Sequence, residues 1–251
     1  MTATTAQTLY VELERLLEMG EIESSLDKLD QICLHHCDHG GAWELRGLLE
    51  AKADRPNRSV ECLERASSLV PLEPWSSRVL AFQYIQIGKR DLGVDLLHQL
   101  GISGLVSTNM VRVLTHDLLK LGHPDLAASM IWTAITSDQD NPVLWHELCA
   151  VQSVLGEEPG ICLQSVERAI QLDPNTVEYR VTAATLLISL DQAMEAYQLV
   201  RQVVSHTGIN LDCPCCLWRL ICLFDCFDDH ARMKVCYDRL ASASVSCAHT
   251  C

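Results

Sequence analysis

Columns of like residues recur 34 positions apart along this chain, and a period of that length leaves few folds open. Steps of 34 from Trp43 reach Ser77, Val111, Trp145 and Tyr179, and one step back reaches Leu9. Four residues beyond each stand Leu13, Gly47, Ala81, Thr115, Cys149 and Ala183, small in five of six units. Eleven beyond each stand Gly20, Asp54, Gly88, Gly122, Gly156 and Leu190, of which all but the last favour a turn. Three columns that hold register over six units predict a tandem array.

The rest of each unit predicts a second helix. A small residue follows the turn at Ser25, Ser59, Gly93 and Ala127, and an apolar one comes four later at Leu29, Leu63, Leu97 and Ile131. That spacing puts both on one helix face. In the fifth unit the stretch EEPGI adds one residue, so Cys162, Val166 and Ala169 take these roles one position late. Turn-like stretches (CDHGG, VPLEP, GISG, DQDNP, LDPN) separate the units, and the prolines after Asn141 and Asp173 cannot continue a helix. Each unit therefore reads as two antiparallel helices whose shared apolar face is too small to be stable alone. Stacking neighbours bury it as one continuous core. Strands are a poor competitor, because alternation of period two is absent.

Trp43 with Gly47, Ser59, Leu63, Ala66 and Pro71 resembles the tetratricopeptide repeat (TPR) pattern of aromatic, glycine, small, bulky, alanine and proline. Trp145 with Gly156, Cys162, Val166, Ala169 and Pro174 is similar to it again. The third and fourth units depart from it with Ser77 and Val111 in place of the aromatic, and the first with Leu9 and Leu13. The resemblance implies an all-α, right-handed α-solenoid of six to seven helical hairpins. Its expected parts are an array over 6–207, a divergent cysteine-rich hairpin over 208–243 and a disordered tail over 244–251. It also implies a concave groove lined by the first helix of each repeat. Carried onto this chain, the fifth positions of those helices are Tyr10, Glu44, Arg78, Arg112, His146 and Arg180, and the ninth include Glu14, Phe82 and His116. Trp75 holds a second position and Lys120 a thirteenth.

The chain carries a net charge of −14, which argues against nucleic-acid binding, since that needs a basic surface. Basic side chains gathered in one groove of such a chain point to a protein or peptide partner that offers an acidic segment or a C-terminal carboxylate. Arginine suits that task because its planar fork pairs with carboxylates through two hydrogen bonds. Trp75 and Phe82 stand ready as an apolar anchor beside Arg78, Arg112, His116, Lys120, His146 and Arg180. The alternative use of these charges is solvation or ion pairing within a single repeat. A chaperone-type carboxylate clamp is not supported, because Asn109 alone does not supply its Lys/Asn set.

The N-terminus has neither a basic start nor an uninterrupted apolar core, and no segment approaches a membrane span, so the chain reads as cytoplasmic with reduced thiols. Its 13 cysteines read mainly as small packing residues. Cys149 and Cys162 occupy small-residue columns, while Cys33 with Cys37 and Cys222 with Cys226 stand four apart, as core residues would. Cys213, Cys215 and Cys216 with His206 or His230, and the stretch Cys33, His36, Cys37 and His39, offer metal ligands but lack paired CxxC spacing. No metal or cofactor is expected. Residues 213–226 are apolar nearly all round, so either the last helix covers them or residues 213–243 serve a homodimer. Without a phosphate-binding glycine loop, GxSxG or HExxH, the chain reads as a non-enzyme. A binding adaptor is the first expectation, a self-assembling protein the second and a metal- or thiol-responsive protein the third.

Overall fold

The computed structural model describes residues 11–13, 15–205, 209, 211 and 213–242. Leu9, Tyr10, Glu14, His206 and the tail 244–251 lie outside the described residues. The described elements are α1 (Ile22–His35), α2 (Gly40–Lys52), α3 (Pro56–Ser67), α4 (Pro74–Gln86), α5 (Arg90–Ile102), α6 (Thr108–Lys120), α7 (Pro124–Ser137), α8 (Pro142–Leu155), α9 (Pro159–Leu172), α10 (Val177–Ser189), α11 (Ala193–Val200), α12 (Pro214–Cys226) and α13 (His230–Ser242). The fold is all-α, and no strand occurs among the described residues. None of these helices is long and apolar enough to cross a membrane. The chain forms two compact units, Met1–Leu121 and Gly122–Cys251. In the first, α2 packs on α3 and α4 on α5 as hairpins; in the second, α8 packs on α9, α10 on α11 and α12 on α13.

Helix starts and stops follow local chemistry. Six helices begin with proline, whose fixed φ suits the first turn and whose missing N–H costs nothing there. Ser107 Oγ accepts a hydrogen bond from Met110 N at 3.4 Å, and Asn141 Oδ1 accepts one from Val143 N at 3.2 Å, capping α6 and α8. Each first helix ends at a left-handed residue: Asp54, Gly88, Gly122, Gly156, Asp191 and Asp228. Every one stands 14 positions after the first residue of its helix.

That constant spacing corrects the count in the sixth unit. The 34-step places its turn at Leu190, but the positive φ falls on Asp191. The residue added by EEPGI shifts everything after it, so the whole of α10 sits one position later than the column from Trp145 predicts. The same spacing makes α12 and α13 a seventh hairpin of the same build.

The second-helix stripe is buried as expected at Leu29, Leu63, Leu97, Ile131 and Val166, and Val200 of the sixth unit is fully covered with them. Small residues let the paired helices approach. A Cβ on Gly93 would meet the Ala81 carbonyl oxygen at 2.4 Å, and one on Gly47 would meet Leu63 Cγ at 2.6 Å. Ser59 Oγ uses the same closeness to donate to the Gly47 carbonyl at 2.7 Å. The core of the last hairpins joins Val177, Val181, Ala196, Val200, Leu217, Leu220, Ile221, Phe224 and Cys236.

The cysteines divide. Cys33, Cys62, Cys149, Cys162, Cys216 and Cys236 are buried, and burial pushes the Cys149 thiol up to about 12. Cys37, Cys222 and Cys226 are exposed, against the expectation from their four-residue spacing. Cys37 lies beyond the end of α1. In α12 an apolar composition on all sides gives periodicity nothing to select. The core takes Leu220, Ile221, Leu223 and Phe224, which leaves Trp218, Cys222 and Cys226 outside.

Candidate partner-binding face

In the unit Met1–Leu121, Arg78 organises the face of α4. Its guanidinium carbon lies 4.8 Å from the Trp75 ring centroid and 5.0 Å from that of Phe82, so the cation is held between two rings three residues before and four after it. Nε donates to Asp117 Oδ2 at 2.5 Å and Nη2 to Asp117 Oδ1 at 2.9 Å. This two-bond fork ties α4 to α6. Asp117 is only 7% exposed and Arg78 20%, so a carboxylate that water does not solvate has its charge met by the guanidinium.

From the sequence Arg78 is expected to face a ligand or to pair within its own repeat, and Asp117 has no role; the pair instead joins two repeats. One signal was available. Asp117 lies among Leu114, Thr115 and Leu118, all buried on α6, and an acid in that setting needs a partner. Which cation answers it, 39 residues away, is a matter of how neighbouring units stack, and no local pattern carries that.

The rest of the expected set falls in different surroundings. Trp75 stays 53% exposed although Arg78 covers one side of it. Arg112 and Lys120 are exposed on α6 and His116 is half-buried. In the unit Gly122–Cys251, His146 Nε2 pairs with Thr182 Oγ1 at 3.1 Å, and its ring lies 4.8 Å from that of Tyr179. Arg180 has another occupation. Its Nε donates to the carbonyl of Pro174 at 3.0 Å, six residues earlier. Trp43 Nε1 donates to Cys37 O at 3.0 Å and Trp145 Nε1 to Gln139 O at 2.8 Å, also six earlier. Because α10 is shifted by one, Arg180 stands where those tryptophans stand and makes their bond. Its Nη1 donates further to Leu199 O and Gln202 Oε1, tying α10 to the segment that ends α11.

No protein-family profile matches the chain. No curated protein matches it either. Solved structures do. The C-terminal part of a TPR repeat-containing protein from Cytophaga hutchinsonii matches with a TM-score of 0.63 at 11% identity, over 94% of this chain and 95% of that one. A tetratricopeptide repeat protein from Parabacteroides merdae gives 0.58 at 10% identity, over 97% and 95%. A chain in the structure of Naa15/Naa10 bound to HypK-THB gives 0.53 at 12% identity, covering 96% of this chain and 39% of that chain. Together with the constant helix-to-turn spacing, these likenesses identify the fold as that of the tetratricopeptide-repeat proteins, a solenoid of tandem helical hairpins.

Proposed function

We propose that this chain is a protein-binding adaptor whose first unit holds an acidic partner segment against α4 and α6. The observation that carries the reading is the Trp75–Arg78–Phe82 stack. A large indole is held half-exposed by a cation that is itself locked to Asp117, so the surface is organised before any partner arrives. Exposed aromatic side chains fixed in this way are what interfaces use as anchors. Arg112 and Lys120, both exposed and two turns apart on α6, add positive charge to the same unit. Lys120 is the more adaptable of the two, a point charge on a flexible stem. The likeness to a chain of the Naa15/Naa10 structure bound to HypK-THB supports an assembly role for the fold.

A library of short acidic peptides with and without an apolar anchor, read by fluorescence anisotropy, tests the proposal. Acidic peptides with an aromatic or aliphatic anchor should bind, and Trp75→Ala should weaken them by about 2 kcal/mol or more, roughly thirtyfold. Arg112→Glu with Lys120→Glu should remove the preference for acidic sequences. If both variants keep wild-type binding, the face is not the site.

A second reading is supported by one observation at the last hairpin. Trp218 on α12 and Tyr237 on α13 are both exposed and pack edge to face at 6.3 Å. Exposed paired aromatics fit self-association. Light scattering after size exclusion in reducing buffer should then give a dimer that Trp218→Ala with Tyr237→Ala converts to monomer; a wild-type monomer at high concentration removes this reading.

A further inference from the structure

Residues 213–216 read Cys-Pro-Cys-Cys and lead into α12. Cys213 is the residue before the helix, with φ −70° and ψ 114°, and its side chain makes no capping bond. Pro214 fixes the first helical φ. The result brings Cys213 and Cys216, a single CxxC pair, together with Cys215 between them. Cys213 and Cys216 stand three apart on one side of the first turn, and Cys215 Sγ lies 3.0 Å from Cys213 Sγ. The three Sγ atoms lie within 4.8 Å of one another. Cys216 is buried, and Cys213 and Cys215 are half-buried.

Three sulfurs this close match what a thiophilic ion requires. With metal–sulfur bonds of about 2.3 Å, sulfurs around one ion stand roughly 3.8–4.0 Å apart, within reach of small χ rotations from the distances here. No carboxylate or imidazole joins the group among the described residues, so the donor set is all soft sulfur. His230, at the start of α13, is exposed and outside it. Soft thiolate sets select copper(I) and zinc(II) over hard cations. Burial pushes the Cys216 thiol up to about 12, so in the metal-free chain it is held as the thiol. The Arg219 charge, one turn further along, acts in the lowering direction, and the first-turn amides of α12 present their positive end to the cluster.

We propose that Cys213, Cys215 and Cys216 form a trithiolate site for a soft d10 cation, either copper(I) in three-coordination or zinc(II) with solvent at the fourth corner. Binding converts three thiols to three thiolates and releases three protons, with no change of oxidation state. Affinity therefore rises with pH.

The test uses the full chain, reduced and stripped of metal with a chelator. Copper(I), kept anaerobic with a competing chromophoric chelator, and zinc(II) are titrated separately, and cobalt(II) serves as a spectroscopic stand-in. One equivalent per chain is expected for at least one of the two ions, with thiolate-to-cobalt charge transfer and with residues 213–216 protected from alkylation when mapped by mass spectrometry. Cys215→Ser should weaken binding by more than the roughly 10–100-fold cost of losing a residue that only orients a ligand. Cys222→Ser with Cys226→Ser, exposed on the same helix, should leave it unchanged. Failure of both ions to saturate at one equivalent, full retention of binding by Cys215→Ser, or equal loss in the Cys222/Cys226 variant would each overturn the assignment. The alkylation map on wild-type protein decides the matter even if a serine variant does not fold, because protection outside 213–216 alone counts against the site.

Discussion

A charge taken out of water obliges its surroundings to answer it, and two acids in this chain show how. Asp117 is answered by the fork of Arg78. Removing one member leaves the other uncompensated, at a cost of about 3–5 kcal/mol for deeply buried pairs. Arg78 retains more contact with solvent than Asp117, so Arg78→Ala should destabilise more than Asp117→Ala. The double variant should cost less than the sum of the two, and urea unfolding of all three measures the coupling. Asp229 is answered differently. Burial alone would raise its pKa, but hydrogen bonds from the side chain and backbone of Arg232 and from the Tyr197 hydroxyl outweigh that and hold it below the usual carboxylate range. A depressed pKa contributes stability that is complete above the unfolded value of about 3.9 and is lost as pH falls through the folded value. Asp229→Asn should therefore be less stable than wild type at neutral pH and lose less on acidification below about pH 4. Parallel stability curves over that range would show that Asp229 makes no such contribution.

At the scale of helices, glycines separate two roles that look alike in the sequence. Gly93 sits within α5 where a Cβ would strike the Ala81 carbonyl oxygen of α4, a backbone atom that cannot turn aside. Gly160 lies in the first turn of α9 with nothing within 4 Å of the Cβ position. Gly93→Ala should thus destabilise by about 1–3 kcal/mol, as overpacking does, while Gly160→Ala should stabilise by about 0.4–1 kcal/mol through the unfolded chain. Denaturant midpoints of the two variants should move in opposite directions, and a shared direction would refute the close-approach account. Register explains the difference in how well elements could be read. The columns hold through the first four units because each has the same length, so Leu63, Leu97 and Ile131 fall where the period puts them. The residue added before Cys162 carries through to α10, and Arg180, counted as a groove residue, becomes the counterpart of Trp43 and Trp145. The signal lay in the turn itself, since Asp191 continues the series of Asp54 and Asp228 at positive φ. Asp tolerates that conformation better than Leu.

Across the whole molecule, hairpin repetition was legible because it is local and periodic, whereas the proposed partner-binding face depends on which repeats meet. Trp75, Arg78 and Phe82 share one helix, and their convergence follows from spacing of three and four. Asp117 comes from another repeat of the same unit, and it engages Arg78. That bears on how a chain of net charge −14 can accept an acidic partner. At low ionic strength, about 0.01 M, the Debye length is roughly 30 Å, so an approaching acidic peptide meets the net negative charge of the chain. Near 0.15 M the length shortens to about 8 Å, which screens distant carboxylates while leaving close pairs with Arg112 and Lys120 partly intact. Toward 1 M it falls to about 3 Å and those pairs weaken too. Affinity for an acidic peptide should accordingly pass through a maximum at intermediate salt, whereas Arg112→Glu with Lys120→Glu should show only an increase as repulsion is screened. Titrations at five or six salt concentrations separate the two profiles. A wild-type affinity that falls steadily from the lowest salt would mean that net charge does not govern the approach, and one that rises steadily would mean that Arg112 and Lys120 form no pairs with the peptide.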